Sequence, residues 1–109
     1  MDTPSIGELE LATLLAVVRL GADAYGAGVR RDLSERANRD YSIGAIYTTL
    51  QRLEDKRLLS SSMSDPTAVR GGRAKRRFRI TASGAAAVRQ ARRLTTAMWQ
   101  GIPTKLHAT

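Results

Sequence analysis

The chain has 109 residues, 42% of them hydrophobic, no cysteine and a formal net charge of +8. That length makes one domain with a modest core, and the missing cysteines exclude a disulfide scaffold, a cysteine nucleophile and a thiolate metal site. The basic balance asks for a polyanionic partner, while the lack of a signal-like N-terminus or a long apolar run predicts a cytoplasmic protein with no membrane association.

Helical periodicity appears first over residues 6–20, where Ile6, Leu9, Leu14, Val17 and Val18 recur at helical spacing and Leu11 and Leu15 widen the stripe. Ser5 is the expected N-cap, with Glu8 completing a capping box, and Gly21 the stop. A second helix is expected over residues 25–37, with Val29 and Leu33 inward. After a short link, a third is expected over residues 42–56: Ser42 is a natural N-cap, and Ile43, Ile46, Leu50 and Leu53 line one side. Strands are expected at 58–63 and at 75–80, where Phe78 and Ile80 alternate with Arg77 and Arg79. The segment between them, with Pro66, Gly71 and Gly72, has the composition of a flexible hairpin loop. Thr81 caps a last helix running to residue 99 or 100, ended by Gly101 and Pro103, and the tail 104–109 is expected to be loose.

Three helices, two strands and a helix, with the second and third helices closely joined, form a winged helix-turn-helix. The fold class expected is mainly α with a small β-hairpin. Residues 1–81 form the DNA-binding domain with a wing at about 59–80, residues 82–100 an added dimerisation helix and residues 101–109 a flexible tail.

Two constellations bear on function. On the third helix, the face opposite Ile46 and Leu50 holds Ala45, Thr48 and Arg52, with Gly44 and Asp55 at its margins and Thr49 and Gln51 beside it. Small hydroxyl, amide and guanidinium groups suit a helix in a major groove, and Gly44 and Ser42 sit at a helix N-terminus, where free N–H groups favour phosphate. In the hairpin, Arg70, Arg73, Lys75, Arg76, Arg77 and Arg79 place six basic residues within ten, a cluster suited to neutralising phosphates or entering a narrow minor groove. The asymmetry is chain-wide: every acidic residue lies at or before Asp65, whereas residues 66–109 hold ten basic residues and no acid.

The stripe Ala85, Val88, Ala91, Leu94 and Met98 on the last helix exceeds what so small a domain can cover, which predicts a two-fold contact there, with Leu11 of the first helix contributing. Trp99 near its end serves either as interface packing or as a stacking surface for an aromatic ligand. Catalysis has no candidate set: the lone histidine, His107, lies in the tail, and Glu54 and Asp55 are neighbours on a helix end. No metal cluster and no cofactor motif occur. Two other readings stand beside a sequence-specific regulator. One is a nonspecific basic DNA- or RNA-binding module, although 5% aromatic residues offer little stacking surface for single strands. The other is a winged helix for protein interaction.

Three motifs resemble those of the PadR-type transcriptional regulators, in their short subclass. YGAGVRRDL at 25–33 is similar to the family's second-helix motif. SIGAIYTTLQRLEDKRLL at 42–59 is similar to its recognition helix through Ile46, Tyr47, Leu50, Leu53 and Glu54. GGRAKRRFRIT at 71–81 is similar to its wing motif, with Gly84 following where a glycine is usual. The resemblance implies a homodimeric repressor that sets its third helix in the major groove of an inverted-repeat operator and its wing on the backbone or minor groove. It adds Tyr25 to the DNA-contacting set, and it implies dimerisation through the last helix. It also brings Trp99 forward as a residue for a small aromatic effector between subunits. Arg57 stands where a helix-ending glycine is common, so a strained or reshaped turn is expected there.

Overall fold

A computed structural model describes residues 5–63 and 75–107. Its elements are α1 (Glu8–Leu20), α2 (Gly26–Ala37), α3 (Ile43–Asp55), β1 (Leu59–Met63), β2 (Arg76–Ile80) and α4 (Ala82–Trp99), with short 3-10 turns at Gly21–Asp23 and Thr104–Leu106. The fold is the expected winged helix, mainly helical with one two-stranded hairpin.

Leu14, Val17, Val29, Leu33, Ile46, Leu50, Leu53, Leu58, Leu59 and Phe78 are buried together. They come from α1, α2, α3 and both strands, so one core joins the three helices to the base of the hairpin. Burying each large aliphatic side chain contributes roughly 1.5–3 kcal/mol. The hairpin is antiparallel, with Leu59 opposite Ile80, Ser61 opposite Phe78 and Met63 opposite Arg76. Its other edge is tied to the turn after α1: Phe78 N–H donates to the Ala24 carbonyl at 2.9 Å, and Tyr25 bridges Arg77. Nothing in the sequence pattern points to this third, one-residue strand.

Helix ends follow local chemistry with one exception. Ser42 Oγ accepts from Ala45 N–H at 3.1 Å and Thr81 Oγ1 from Gly84 N–H at 3.0 Å. Both are the N-caps that the sequence implies. At α1 the expected Ser5–Glu8 pair is displaced by Gly7 and Glu10: the Gly7 N–H donates to the Glu10 carboxylate at 2.9 Å. The same carboxylate meets Lys56 Nζ at 2.7 Å. A partner 46 residues away decides the cap, which local spacing could not reveal. Residues after Pro103 make a turn, and the His107 ring meets the edge of Trp99 with centroids 5.1 Å apart.

The α3–β1 corner holds a conformational oddity next to a close approach. Arg57 has φ +62°, the left-handed region that costs a side-chain-bearing residue roughly 1–2 kcal/mol. This is the strained turn expected from a non-glycine there. It persists because the corner is bonded on every side: Leu58 N–H donates to the Leu53 carbonyl, Thr81 N–H to the Leu58 carbonyl and Thr81 Oγ1 to the Arg57 carbonyl. α4 starts on this corner at Gly84, where an added Cβ would stand 2.1 Å from the Leu58 carbonyl oxygen and 2.8 Å from Ile80 Cγ1.

Only Gly84 and Ala87 of α4 are buried, so most of the helix runs clear of the core. The radius of gyration, 15.8 Å, exceeds the roughly 13 Å of a compact chain of this length. Among the described residues no helix is long and apolar enough to cross a membrane.

Two substitutions at the corner should act in opposite directions. Arg57→Gly relieves the left-handed strain, less the entropy that glycine adds to the unfolded chain, and should stabilise by about 0.5–1 kcal/mol. Gly84→Ala forces α4 off the Leu58 carbonyl and should cost about 3 kcal/mol. Urea midpoints measure both, and an unchanged midpoint for Gly84→Ala would contradict this docking of α4.

Acid sensitivity should come from two carboxylates. At Glu10 burial pushes the pKa up, but the Gly7 amide and Lys56 outweigh it and hold it below its ordinary 4.5. At Asp32 the Arg19 hydrogen bonds, opposed by burial and assisted by Arg36, hold it below 3.8. A carboxylate depressed in the folded state contributes stability above its unfolded pKa and loses it as pH falls through the folded one, so stability should decline below about pH 5. Glu10→Gln should flatten that acid limb and cost about 1–3 kcal/mol at neutral pH, as read by urea titration across pH.

Candidate nucleic-acid interface

The buried side of α3 fixes what its other side offers. With Ile46, Leu50 and Leu53 sealed in the core, Gly44, Ala45, Tyr47, Thr48, Gln51, Arg52 and Asp55 are all exposed. Ser42, at the N-terminus, is exposed with its hydroxyl committed to the cap. Thr49, expected to flank this outward face, is instead only 4% exposed, and its hydroxyl donates to the Ala45 carbonyl at 2.8 Å. It lies one step from the Ile46–Leu50 line, and its methyl can pack there while its hydroxyl is satisfied within the helix. Tyr47, next to Ile46 on the helix, is 48% exposed. Its ring covers Gly26 so closely that an added Cβ would meet it at 2.5 Å. This contact brings α2 and α3 together, and α2's glycine is its only signal in the sequence.

The link between α2 and α3 is held by ion pairs and backbone bonds. Arg30 Nε donates to the Tyr41 carbonyl at 2.6 Å and its terminal nitrogen to Asp40 at 3.0 Å. Asn38 closes α2 in the left-handed conformation, which asparagine tolerates. Behind it, Asp32 accepts from both Arg19 and Arg36, tying α1 to α2. The turn that presents α3 is thus braced before any ligand arrives.

β1 is the hairpin strand packed against α3, and β2, the basic strand, reaches α3 through Arg76. Lys75, Arg76, Arg77 and Arg79 are exposed. They differ by strand parity. Arg77 and Arg79 alternate with buried Phe78 and so point away from the core, and no carboxylate pairs with either among the described residues. Lys75 Nζ stands 5.9 Å from the centre of the Tyr25 ring, which places Tyr25 under the wing base. Arg76 shares the parity of Phe78 and turns towards α3. Its guanidinium donates to Gln51 Oε1 at 3.3 Å and stands 3.9 Å from Glu54 Oε1. Arg70 and Arg73 lie outside the described residues.

The α1 and α4 residues expected at a subunit contact grade from half-covered to bare. Leu11, Val88 and Ala91 are half-buried, whereas Leu94, Met98 and Trp99 are exposed. Met98, Trp99, Ile102 and Leu106 surround an open apolar hollow of about 440 Å³. Among the described residues no three His, Asp or Glu side chains gather to hold a metal.

The chain matches the family model of the transcriptional regulator PadR-like family over residues 14–90, more than half of its length. No curated protein sequence matches it. Among solved structures it is similar to a PadR-like transcription factor from Bacteroides fragilis, with 20% identity, 83% of this chain and 82% of that one covered, and a TM-score of 0.68. It is similar to a PadR family transcriptional regulator from Eggerthella lenta, with 22% identity, coverage of 93% and 89%, and a TM-score of 0.66. It is also similar to BpsR of Bordetella bronchiseptica, described by the regulation of its DNA binding by 6-hydroxynicotinic acid, with 17% identity, coverage of 96% and 74%, and a TM-score of 0.63. The chain belongs to the PadR-like family of transcriptional regulators, and is a non-enzymatic, DNA-binding regulator of transcription.

Proposed function

We propose that the protein is a cytoplasmic dimeric repressor that reads an inverted-repeat operator with the outward face of α3 and grips the backbone with the wing. The observation that carries this reading is the division of labour across adjacent surfaces. α3 presents Gly44, Ala45, Thr48, Gln51 and Arg52, exposed around a buried seam. β2 presents Arg77 and Arg79 with no acid beside them among the described residues. The first set has the groups that discriminate base edges, the second the charge that binds any phosphate. Lys75 and Tyr25 extend the second set, and Ser42 and Gly44 offer a helix N-terminus to a phosphate.

Dimerisation is supported by the apolar end of α4, where Met98 is 65% and Trp99 46% exposed. Pairing α4 with its copy covers this surface, with Val88, Ala91, Leu94 and Leu11 joining the seam. A two-fold then sets two α3 helices about one DNA turn, roughly 34–36 Å, apart. The hollow beside Trp99 supports a small aromatic effector at the same seam, in keeping with the ligand in the description of BpsR.

The wing and the helix should respond differently to mutation. Arg77→Ala and Lys75→Ala should weaken binding to all duplexes and lower the salt slope of affinity by about 0.9 for each phosphate no longer neutralised. Thr48 or Arg52 substitutions should shift base preference, by about 1–3 kcal/mol where they remove a hydrogen bond to a base edge, and leave that slope in place. Fluorescence anisotropy on a selected operator and on random duplex measures both, and identical behaviour of the two classes would refute the assigned roles. Met98→Lys should yield monomers in sedimentation. Trp99 is the chain's single tryptophan, so its emission reports effector binding directly.

A further inference from the structure

We propose that Arg76 is a positioning residue for base recognition, holding the start of the wing strand on the reading face of α3 through Gln51 and Glu54 instead of contacting phosphate. The inference rests on the DNA-reading role proposed above for α3, and it separates Arg76 from the cations around it.

Strand geometry makes the first distinction. Side chains alternate along β2, so Arg76 lies on the face of Phe78 and Ile80, whereas Arg77 and Arg79 lie on the other. The second lies in its partners. Its guanidinium donates to Gln51 Oε1 at 3.3 Å, and Gln51 Nε2 donates to Asp55 Oδ1 at 2.9 Å. Both ends of the Gln51 amide are occupied, which fixes which end faces the wing. The third is Glu54, one turn further along α3. Its Oε2 accepts from Ser61 of β1 at 2.6 Å, while its Oε1 is buried without a hydrogen bond and has the Arg76 guanidinium 3.9 Å away. Glu54 thereby touches both strands of the hairpin, and Arg76 sets a countercharge beside the oxygen that has no hydrogen bond.

A guanidinium bridges two acceptors in fixed directions because its donors form a rigid planar fork; an ammonium is a compact point charge whose rotatable donors fix neither direction. The consequence is mechanical. When the wing settles on a backbone, Arg76 transmits its position to Gln51, a residue aimed at base edges. Selectivity at the base pair facing Gln51 therefore depends on Arg76 and Glu54, although neither touches the base. A phosphate contact would add to affinity for every duplex and to its salt dependence.

The test uses the full chain, an operator selected by the protein from random duplex, and that operator's single-base variants. Arg76→Ala, Arg76→Lys and Glu54→Gln should each keep the wild-type salt slope and lose about tenfold in discrimination at the same base pair. The Arg76→Ala/Glu54→Gln double variant should lose no more than either single one. In the free protein, Arg76→Lys and Glu54→Gln should both shift the Gln51 side-chain amide resonances. Glu54→Gln is isosteric, so it answers the question even where Arg76→Ala lowers the melting temperature. The proposal is overturned if Arg76→Ala lowers the slope by about 0.9, if Arg76→Lys restores wild-type binding, or if Glu54→Gln leaves discrimination intact. Arg77→Ala run in parallel keeps the two readings distinct: an unchanged slope there would count against the wing's grip on phosphate and not against Arg76.

Discussion

The rotation of α3 about its own axis is the constraint on which the candidate interface depends. Successive residues turn by about 100°, so sealing Ile46, Leu50 and Leu53 among Leu14, Val17, Val29 and Leu33 leaves one direction open for Thr48, Gln51 and Arg52. The energies are unequal. Each buried aliphatic side chain contributes roughly 1.5–3 kcal/mol, whereas an exposed ion pair contributes about 0–1 kcal/mol. The core thus chooses the face, and surface interactions such as Arg76 to Gln51 only trim the angle. A protein with so few interior residues has little else with which to aim a helix.

The same core sets the wing and α4 against α3 through one corner. Leu58 lies at its centre: its N–H donates to the Leu53 carbonyl, its carbonyl accepts from Thr81 N–H, and its carbonyl oxygen leaves room only for a glycine at position 84. The chain accepts a left-handed Arg57 to make this turn. Three bonds and several buried side chains outweigh a strain of roughly 1–2 kcal/mol. α3, β2 and α4 therefore share a single reference point, tied together by backbone hydrogen bonds.

Periodicity makes most of the fold legible. The helices and strands stand within two residues of where the apolar spacing places them, because α1, α2, α3 and both strands each turn one side to a common core and α4 docks on it near its start. What stays hidden is decided by distant partners. Lys56 claims Glu10 and moves the first cap from Ser5 to Gly7. Ala24 and Tyr25 join the sheet edge on the strength of a carbonyl, and a carbonyl has no sequence signature. At the candidate interface, Thr49 escapes a reading by polarity because a threonine can satisfy its hydroxyl on its own helix and bury its methyl. Arg76 is a different case. Counting it with its basic neighbours treats the hairpin as a bag of charge, yet the alternation of Phe78 and Ile80 with Arg77 and Arg79 already places Arg76 on the inner side.

Charge poses a final question for the proposed dimer, since two copies each carrying +8 repel. The layout of α4 answers it. On a helical projection Val88, Ala91, Leu94, Met98 and Trp99 fall on one side, Arg89 and Arg93 lie roughly a quarter-turn or more from its centre, and Arg92 borders it beside Val88 and Trp99. A seam made from the first group leaves the arginines on its outer flank, solvated and exposed. Their repulsion across the seam is screened over a Debye length of about 8 Å at physiological salt. Burial of the apolar side chains, by contrast, is not screened at all. The arginines then add to the positive field around the proposed dimer from the flanks of that seam.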